Sequence, residues 1–286
     1  MAGPFAPFEP HGGGGPRLRE IPLRMIIPNM ITIIAICAGL SGIRLAYDGR
    51  FETAVIMVLI AASLDAVDGR VARMLKASSK FGEQLDSLAD IVNFGVAPGL
   101  VLYAYLLDKA HTFGWIAALV FAIACALRLA RFNVALEDQN RPAWEGDYFV
   151  GVPAPAGGVL VMLPIYFGFL GFPVNDSVAI GASVYTIVIA MLMISRLPVY
   201  SGKVSGTRVR REFVMPLMLV FVALVFLLAS YTWQTVAAAA IAYIIFLGFS
   251  ARAYARRARL EAEKETAAGG DTLQSKAGNA ASGADE

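Results

Sequence analysis

The chain has 286 residues, of which 57% are hydrophobic and 16% are charged, and its mean hydropathy is +0.62. A composition this apolar excludes an ordinary soluble domain and is typical of a protein that crosses a membrane several times. The formal net charge is only +2, and no nucleic-acid partner is expected. The two cysteines, Cys37 and Cys125, define neither a disulfide framework nor a metal site, and both are interpreted as small core residues.

Apolar runs of membrane-spanning length predict an all-α fold, a polytopic membrane helical bundle with about eight transmembrane helices. The predicted spans, in chain order, are residues 28–47, 52–72, 86–107, 112–132, 154–172, 177–195, 213–231 and 233–251. They define one transmembrane domain at 21–260. The flanking stretches 1–20 and 261–286 lack apolar periodicity and are predicted to be disordered tails.

The distribution of basic residues predicts an orientation for this bundle. With both termini in the cytoplasm, 21 of the 24 Lys and Arg residues fall on the cytoplasmic side, and only Arg44, Arg50 and Lys109 fall outside. The positive-inside rule is therefore satisfied by an even number of spans with both ends in the cytoplasm. In this orientation the acidic motif described next lies on the cytoplasmic side.

Four aspartates at helical spacing interrupt the apolar sequence. The pattern is Asp65-x-x-Asp68-Gly69-x-x-Ala72-Arg73, followed after eight residues by Gly82-x-x-x-Asp86-x-x-x-Asp90. In helices, these positions place two carboxylates on one face of each segment, with glycine or alanine beside them. One aspartate at mid-bilayer costs about 2.5–3.5 kcal/mol on an insertion scale, so four of them need compensation, most simply from a divalent cation.

The residue types indicate which cation and what else binds there. Carboxylate oxygens without neighbouring His or Cys favour Mg²⁺ or Mn²⁺, with Ca²⁺ as a further ion that such a site accepts. Glycine destabilises a helix, so its placement beside the acids indicates that something bulky approaches the backbone. A metal-bridged nucleotide diphosphate fits both observations. Carboxylates that stabilise a helix bundle or line an ion path are the alternative interpretation.

The eight motif residues resemble the signature of the CDP-alcohol phosphatidyltransferase family, and every signature position matches. Members of that family join a CDP-activated lipid or alcohol to a second hydroxyl compound and release CMP, so the resemblance makes 21–260 the catalytic domain. It implies metal ligation by Asp65, Asp68 and Asp86, a second metal position at Asp86 and Asp90, and Asp90 as the general base. It also implies that the nucleotide lies against Gly69, Ala72, Arg73 and Gly82. Since no Ser/His or Cys/His pair is visible, a direct in-line displacement is expected.

Further stretches resemble the integral-membrane phosphatidylserine synthases within this family. They are Pro28-Asn29 with Thr32, residues 86–98, Leu129 to Asn133, and Phe149 to Ala156. The resemblance implies CDP-diacylglycerol and L-serine as substrates, membrane lipids as partners, a homodimer, and a multi-pass position in a bacterial cell membrane. Serine is a zwitterion whose carboxylate needs a cation. The candidates to bind it are Arg128, Arg131 and Asn133, at the cytoplasmic end of the fourth span.

Two alternatives stay open. The acceptor could be another alcohol, such as choline, inositol phosphate or glycerol phosphate. Relatives that accept glycerol phosphate usually carry an arginine shortly after the Pro-Asn…Thr start, and Ile33–Cys37 has none, which disfavours a phosphate-bearing acceptor. The alternative from another class is a cation-binding transporter, which predicts an inverted repeat with broken helices in both halves. The sequence has no second acidic motif that matches the first.

Overall fold

The computed structural model describes residues 23–75, 79–137, 148–195, 198–200 and 211–250. Apart from connecting turns and two three-residue strands, these ranges are helical, which confirms the all-helical class. The predicted tails at 1–20 and 261–286 lie outside the described residues. The helices are α1 (Leu23–Tyr47), α2 (Phe51–Met74), α3 (Lys80–Asp90), α4 (Ala97–Tyr105), α5 (His111–Glu137), α6 (Ala154–Val161), α7 (Leu163–Phe169), α8 (Asp176–Ile194), α9 (Arg211–Ser230) and α10 (Thr232–Ser250). A π-helical segment (Ile91–Val96) joins α3 to α4, and a 3₁₀ turn (Leu107–Ala110) precedes α5. Strand β1 (Tyr148–Val150) pairs antiparallel with β2 (Pro198–Tyr200).

Six helical stretches in the described ranges are long and apolar enough to cross a membrane, so the chain is an integral membrane protein. They are Ile26–Tyr47, Lys80–Tyr105, Leu107–Val134, Asp176–Ile194, Phe213–Ser230 and Thr232–Ser250. The predicted count of eight is not confirmed, although a helix occupies each predicted position. Helix α2 is not one of the six, because the charged residues of its second half make it too polar. The 154–172 run breaks at Met162 into α6 and α7, because Pro164 begins a new helix and lacks an amide hydrogen.

The packing follows narrow stripes of small residues. Helix α1 packs along α2, and α5 packs along α8, as the two most extensive helix pairs. The buried stripe of α1 passes through Thr32, Ala35, Gly39, Gly42 and Ala46 at helical spacing. Cys125 is buried, as predicted, but Cys37 is exposed. The core assignment of Cys37 was wrong because that residue lies off the stripe.

A widened helical turn follows directly after Asp90. Pro98 cannot donate a hydrogen bond, and its ring conflicts with the carbonyl of Phe94 four residues earlier. The amide of Ala97 instead reaches the carbonyl of Val92, a step of five residues. Gly158 of α6 packs here, since a Cβ on it would lie only 3.2 Å from the Phe94 carbonyl oxygen. The wide turn therefore shifts the side chains after Asp90 out of α-helical register and lets α6 approach closely.

The entry into α6 is anchored on the C-terminal end of α8. Gly151 has φ +81°, a conformation that glycine adopts at little cost, and a Cβ on it would lie 2.5 Å from the carbonyl oxygen of Met193 and 2.9 Å from that of Ser195. The amide of Val152 donates to the carbonyl of Leu192 at 3.3 Å. The chain before α6 therefore lies directly on the backbone of α8.

This contact predicts the effect of Gly151→Ala on stability. Alanine in the left-handed conformation costs about 1–2 kcal/mol, and here the added methyl group also meets two carbonyl oxygens. Gly171→Ala is the matched control, because Gly171 has φ +95° and a Cβ on it would have nothing within 4 Å. We expect Gly151→Ala to lower the midpoint of thermal unfolding in detergent more than Gly171→Ala does. Equal shifts of the unfolding midpoint in the two variants would show that the close approach of Gly151 to α8 contributes nothing to stability.

Candidate active site

The four predicted aspartates come together where α2 packs beside α3. One carboxylate oxygen each from Asp65, Asp68 and Asp86 lies within 4.8 Å of the other two. Asp68 is only 2% exposed. Asp90, one turn beyond Asp86, places its carboxyl group against that of Asp65. The structure thus brings all four acids into one cluster, with three of them at a spacing suited to one metal ion.

This cluster has the properties of a cation site. Asp65 Oδ1 is buried and has no hydrogen-bond partner among the described residues. Two ionised carboxylates about 4 Å apart repel by about 4 kcal/mol at an effective dielectric constant near 20, so a cluster of ionised acids needs a compensating cation. Carboxylate oxygens are the ligands that hard divalent cations prefer. The residues present therefore fit a divalent metal.

Helix α1 orients one of these ligands. The Thr32 hydroxyl lies 2.8 Å from Asp68 Oδ2, and the backbone amide of Gly69 donates to Asp68 Oδ1 at 2.6 Å. Both oxygens of Asp68 are thus fixed by hydrogen bonds, as is usual for groups that hold a metal. Sequence reasoning did not assign Thr32 to the site. The available signal was its place in the Pro28-Asn29…Thr32 stretch.

A cleft of about 320 Å³ opens beside the cluster, between α1, α2 and the start of α3. Its lining includes all four residues predicted on the nucleotide side, Gly69, Ala72, Arg73 and Gly82, together with Asp68 and Asp86. A Cβ on Gly82 would lie 2.9 Å from Asn29 Oδ1, so a larger residue there would crowd the cleft. Asn29, Ser79 and Glu83 also line it, and sequence reasoning did not place them there.

The three residues predicted to bind the acceptor lie in different surroundings. Arg128 is 7% exposed and interacts electrostatically with Asp90, and its Nε has no hydrogen-bond partner in the described part of the chain. Arg131 donates to the carbonyl oxygens of Ile194 at 2.7 Å and Ser195 at 3.2 Å, where it satisfies the end of α8. The Asn133 side-chain amide donates to Ser87 Oγ at 3.0 Å. Of the three, Arg128 thus combines burial and an unpartnered donor with an electrostatic interaction with Asp90.

Comparison with known protein families agrees with the helical fold and the acidic cluster. The model of the CDP-alcohol phosphatidyltransferase family matches residues 25–195, and the chain belongs to this family. The matched region extends from α1 to the end of α8. It contains the whole acidic cluster, the cleft and all three candidate acceptor residues.

Several curated proteins are similar to this chain. A CDP-diacylglycerol–serine O-phosphatidyltransferase of Mycobacterium leprae is 44% identical over 188 residues, which cover 64% of this chain and 61% of that protein. One of the same name from Helicobacter pylori is 40% identical over 138 residues, 48% of this chain and 56% of that protein. An archaetidylserine synthase of Methanothermobacter thermautotrophicus is 29% identical over 182 residues, 63% of this chain and 71% of that protein. The chain spans only 55–61% of the length of the mycobacterial relatives.

The hydrogen bond from Thr32 to Asp68 predicts an effect on metal affinity. Thr32→Val keeps the shape of the side chain but removes the hydroxyl, so Asp68 loses one of the two contacts that orient it. We expect Mn²⁺ binding to the purified protein, followed by electron paramagnetic resonance, to weaken by about tenfold or more. Thr32→Ser keeps the hydroxyl and is the control. Equal Mn²⁺ affinity in the valine and serine variants would contradict the role of this hydrogen bond.

Proposed function

We propose that this protein transfers the phosphatidyl group of CDP-diacylglycerol to the hydroxyl of L-serine and so forms phosphatidylserine and CMP. The observation that carries the proposal is the cluster of Asp65, Asp68 and Asp86 at the edge of a cleft lined by the small residues of the motif. Membership of the family supports the reaction type. The names of the bacterial relatives and the buried Arg128 support serine as the acceptor.

The donor substrate would occupy the cleft. Gly69, Ala72 and Gly82 leave room for cytidine and ribose, and Arg73 offers a planar set of donors to a phosphate. Asp65, Asp68 and Asp86 would hold Mg²⁺ or Mn²⁺, with Ca²⁺ as a further occupant, and Asp90 would extend the site to a second position. A bound divalent ion supplies charge neutralisation on the diphosphate and makes the phosphorus more electrophilic.

In the proposed reaction the serine hydroxyl oxygen attacks the phosphorus that carries the diacylglycerol group. One P–O bond forms, the bond from this phosphorus to the CMP phosphate breaks, and CMP leaves. Asp90 takes the hydroxyl proton in this proposal. Its carboxyl group hydrogen-bonds to Asp65 at the metal cluster and interacts electrostatically with Arg128, the residue proposed to bind serine. The displacement is direct, without a covalent enzyme intermediate.

The carboxylate of serine is assigned to Arg128 rather than to Arg131. Arg128 is buried, faces Asp90 and has a free Nε donor in the described part of the chain. The guanidinium of Arg131 is already bonded to two carbonyl oxygens of α8. We therefore propose that Arg131 and Asn133 support the acceptor side by fixing α5 against α8 and α3, while Arg128 makes the direct contact.

The remaining proposals concern the setting of the site. The cleft opens at the N-terminal end of α1, and the positive-inside pattern puts this end in the cytoplasm, where cytidine nucleotides are available. We propose eight membrane passes, with α2 and the broken pair α6–α7 as the two beyond the six apolar stretches. A homodimer in a bacterial cell membrane is proposed from the family resemblance.

The reaction is tested by measuring CMP release from CDP-diacylglycerol by the purified protein with a panel of acceptors. Serine should give the highest kcat/KM among serine, ethanolamine, choline, inositol phosphate and glycerol phosphate. EDTA should abolish release, and Mg²⁺ or Mn²⁺ should restore it. A preference for another acceptor would keep the reaction type but refute serine. Failure of every acceptor, with cation-dependent ion flux in vesicles, would instead favour a transporter.

Arg128→Ala should selectively impair use of serine. Losing a direct partner of a buried carboxylate costs about 2–4 kcal/mol, which corresponds to a loss of about 30- to 1000-fold in kcat/KM for serine. Ethanolamine lacks the carboxylate, so its kcat/KM should fall much less, by the amount that loss of the Arg128 charge perturbs Asp90. Arg131→Ala is the matched control: we expect it to lower thermal stability by releasing α8, with a smaller effect on the KM for serine. Equal losses of kcat/KM for serine and ethanolamine in Arg128→Ala would contradict the assignment of Arg128 to the serine carboxylate.

A further inference from the structure

Buried polar atoms without partners concentrate around Asp90. In the described part of the chain, five buried side-chain atoms lack a hydrogen-bond partner: Asp65 Oδ1, Asn93 Nδ2, Asn93 Oδ1, Arg128 Nε and the Tyr166 hydroxyl. The first four belong to Asp65, Asn93 and Arg128: Asp65 hydrogen-bonds to Asp90, Arg128 interacts electrostatically with Asp90, and Asn93 follows Asp90 by three residues, about one helical turn, along the chain. Such atoms are rare in folded proteins, because burying a polar group without a hydrogen bond is energetically costly. Their concentration at one place points to a polar ligand there.

Asn93 is the member of this group that the reaction described above does not use. It lies in the π-helical segment and is 0% exposed, yet neither end of its amide has a partner in the described structure. Helix α1 makes space for it, because a Cβ on Gly39 would lie 2.6 Å from Asn93 Oδ1. With Oδ1 against α1, the other end of the amide, Nδ2, remains as a donor. The fold thus keeps a buried amide that it does not itself satisfy.

We propose that Asn93 is a further acceptor-binding residue, which donates from Nδ2 to the α-carboxylate of the amino-acid acceptor beside Arg128. This proposal rests on the proposed function. An amino-acid carboxylate can accept from both unpartnered donors, Arg128 Nε and Asn93 Nδ2, whereas a plain alcohol offers neither charge nor a second oxygen. Because Asn93 is fully buried, the acceptor reaches it through side-chain rearrangement around Asp90, as is common when partners bind.

Asn93→Ala separates this role from a structural one. If the amide only stabilised the helix bundle, its removal would destabilise the protein. If it serves the acceptor, removal relieves an unpaired buried group, so the thermal unfolding midpoint should stay the same or rise. At the same time, the KM for serine should rise by about tenfold or more, because a hydrogen bond to a charged group contributes about 1.5–3 kcal/mol. The KM for CDP-diacylglycerol should change little. Asn93→Ser keeps a donor and should recover part of the affinity for serine.

Gly39→Ala gives an independent test through α1. Its methyl group would displace the Asn93 amide, so this variant should also raise the KM for serine. In the double variant with Asn93→Ala the methyl group no longer has an amide to displace. Gly39→Ala should therefore add almost nothing to the rise in the KM for serine. Strong non-additivity of this kind is expected only for residues that act on the same contact.

The measurements use the full chain in detergent, with CMP release followed against each substrate in turn. An unchanged KM for serine in Asn93→Ala, with serine still used by the unaltered protein, would overturn the role of Asn93 and leave the proposed function intact. A lower unfolding midpoint with equal losses for both substrates would show that Asn93 is structural. If the unaltered protein did not use serine, the proposed function itself would fail, and the role of Asn93 with it.

Discussion

Electrostatic repulsion among Asp65, Asp68, Asp86 and Asp90 is the interaction around which the rest of the site is arranged. The first three present oxygens within 4.8 Å of one another, inside a helix bundle where water compensates charge poorly. The protein offsets this cost only in part. Asp68 accepts from Thr32 and Gly69, and Arg128 faces Asp90. Because α2 and α3 both pack on α1, the acids cannot separate, and a bound cation is the most direct source of the missing charge.

The backbone near the acids departs from regular helix packing in ways that serve the site. Helix α1 approaches closely at Gly82, where a side chain would crowd the cleft, and Gly39 of α1 leaves room for the Asn93 amide. The wide turn enforced by Pro98 follows immediately, and it allows α6 to pack against the backbone of Phe94. Small residues and one helical irregularity therefore set the depth and width of a polar site inside an apolar bundle.

The parts of this site that could be predicted from the sequence are those determined by local periodicity. Spacings of three and four residues put the aspartates and their small neighbours on one face of each helix, and the structure brings these faces together. Arg128 and Arg131 are only three residues apart, and what separates them is tertiary: α8 ends beside Arg131, and Asp90 lies beside Arg128. Asn93 lies in the 86–98 stretch of the resemblance but received no role from the sequence, because a π-helical segment changes the register that sequence patterns assume. The broken span at Met162 was likewise hidden in a continuous apolar run.

The two sides of the site also differ in which helices reach them. The cleft proposed for the nucleotide is formed by α1, α2 and α3, which lie in the family match at 25–195. The proposed acceptor side is reached in addition by α10, which lies beyond this match. Trp233 stacks on Tyr166 with ring centroids 6.4 Å apart, Val236, Ala237 and Ala240 are buried, and Tyr243 further along α10 interacts electrostatically with Arg128. By contrast, residues 213–230 of α9 are all exposed. This division fits the proposed function, because a helix outside the family match can alter the surroundings of Arg128 without disturbing the proposed metal ligands.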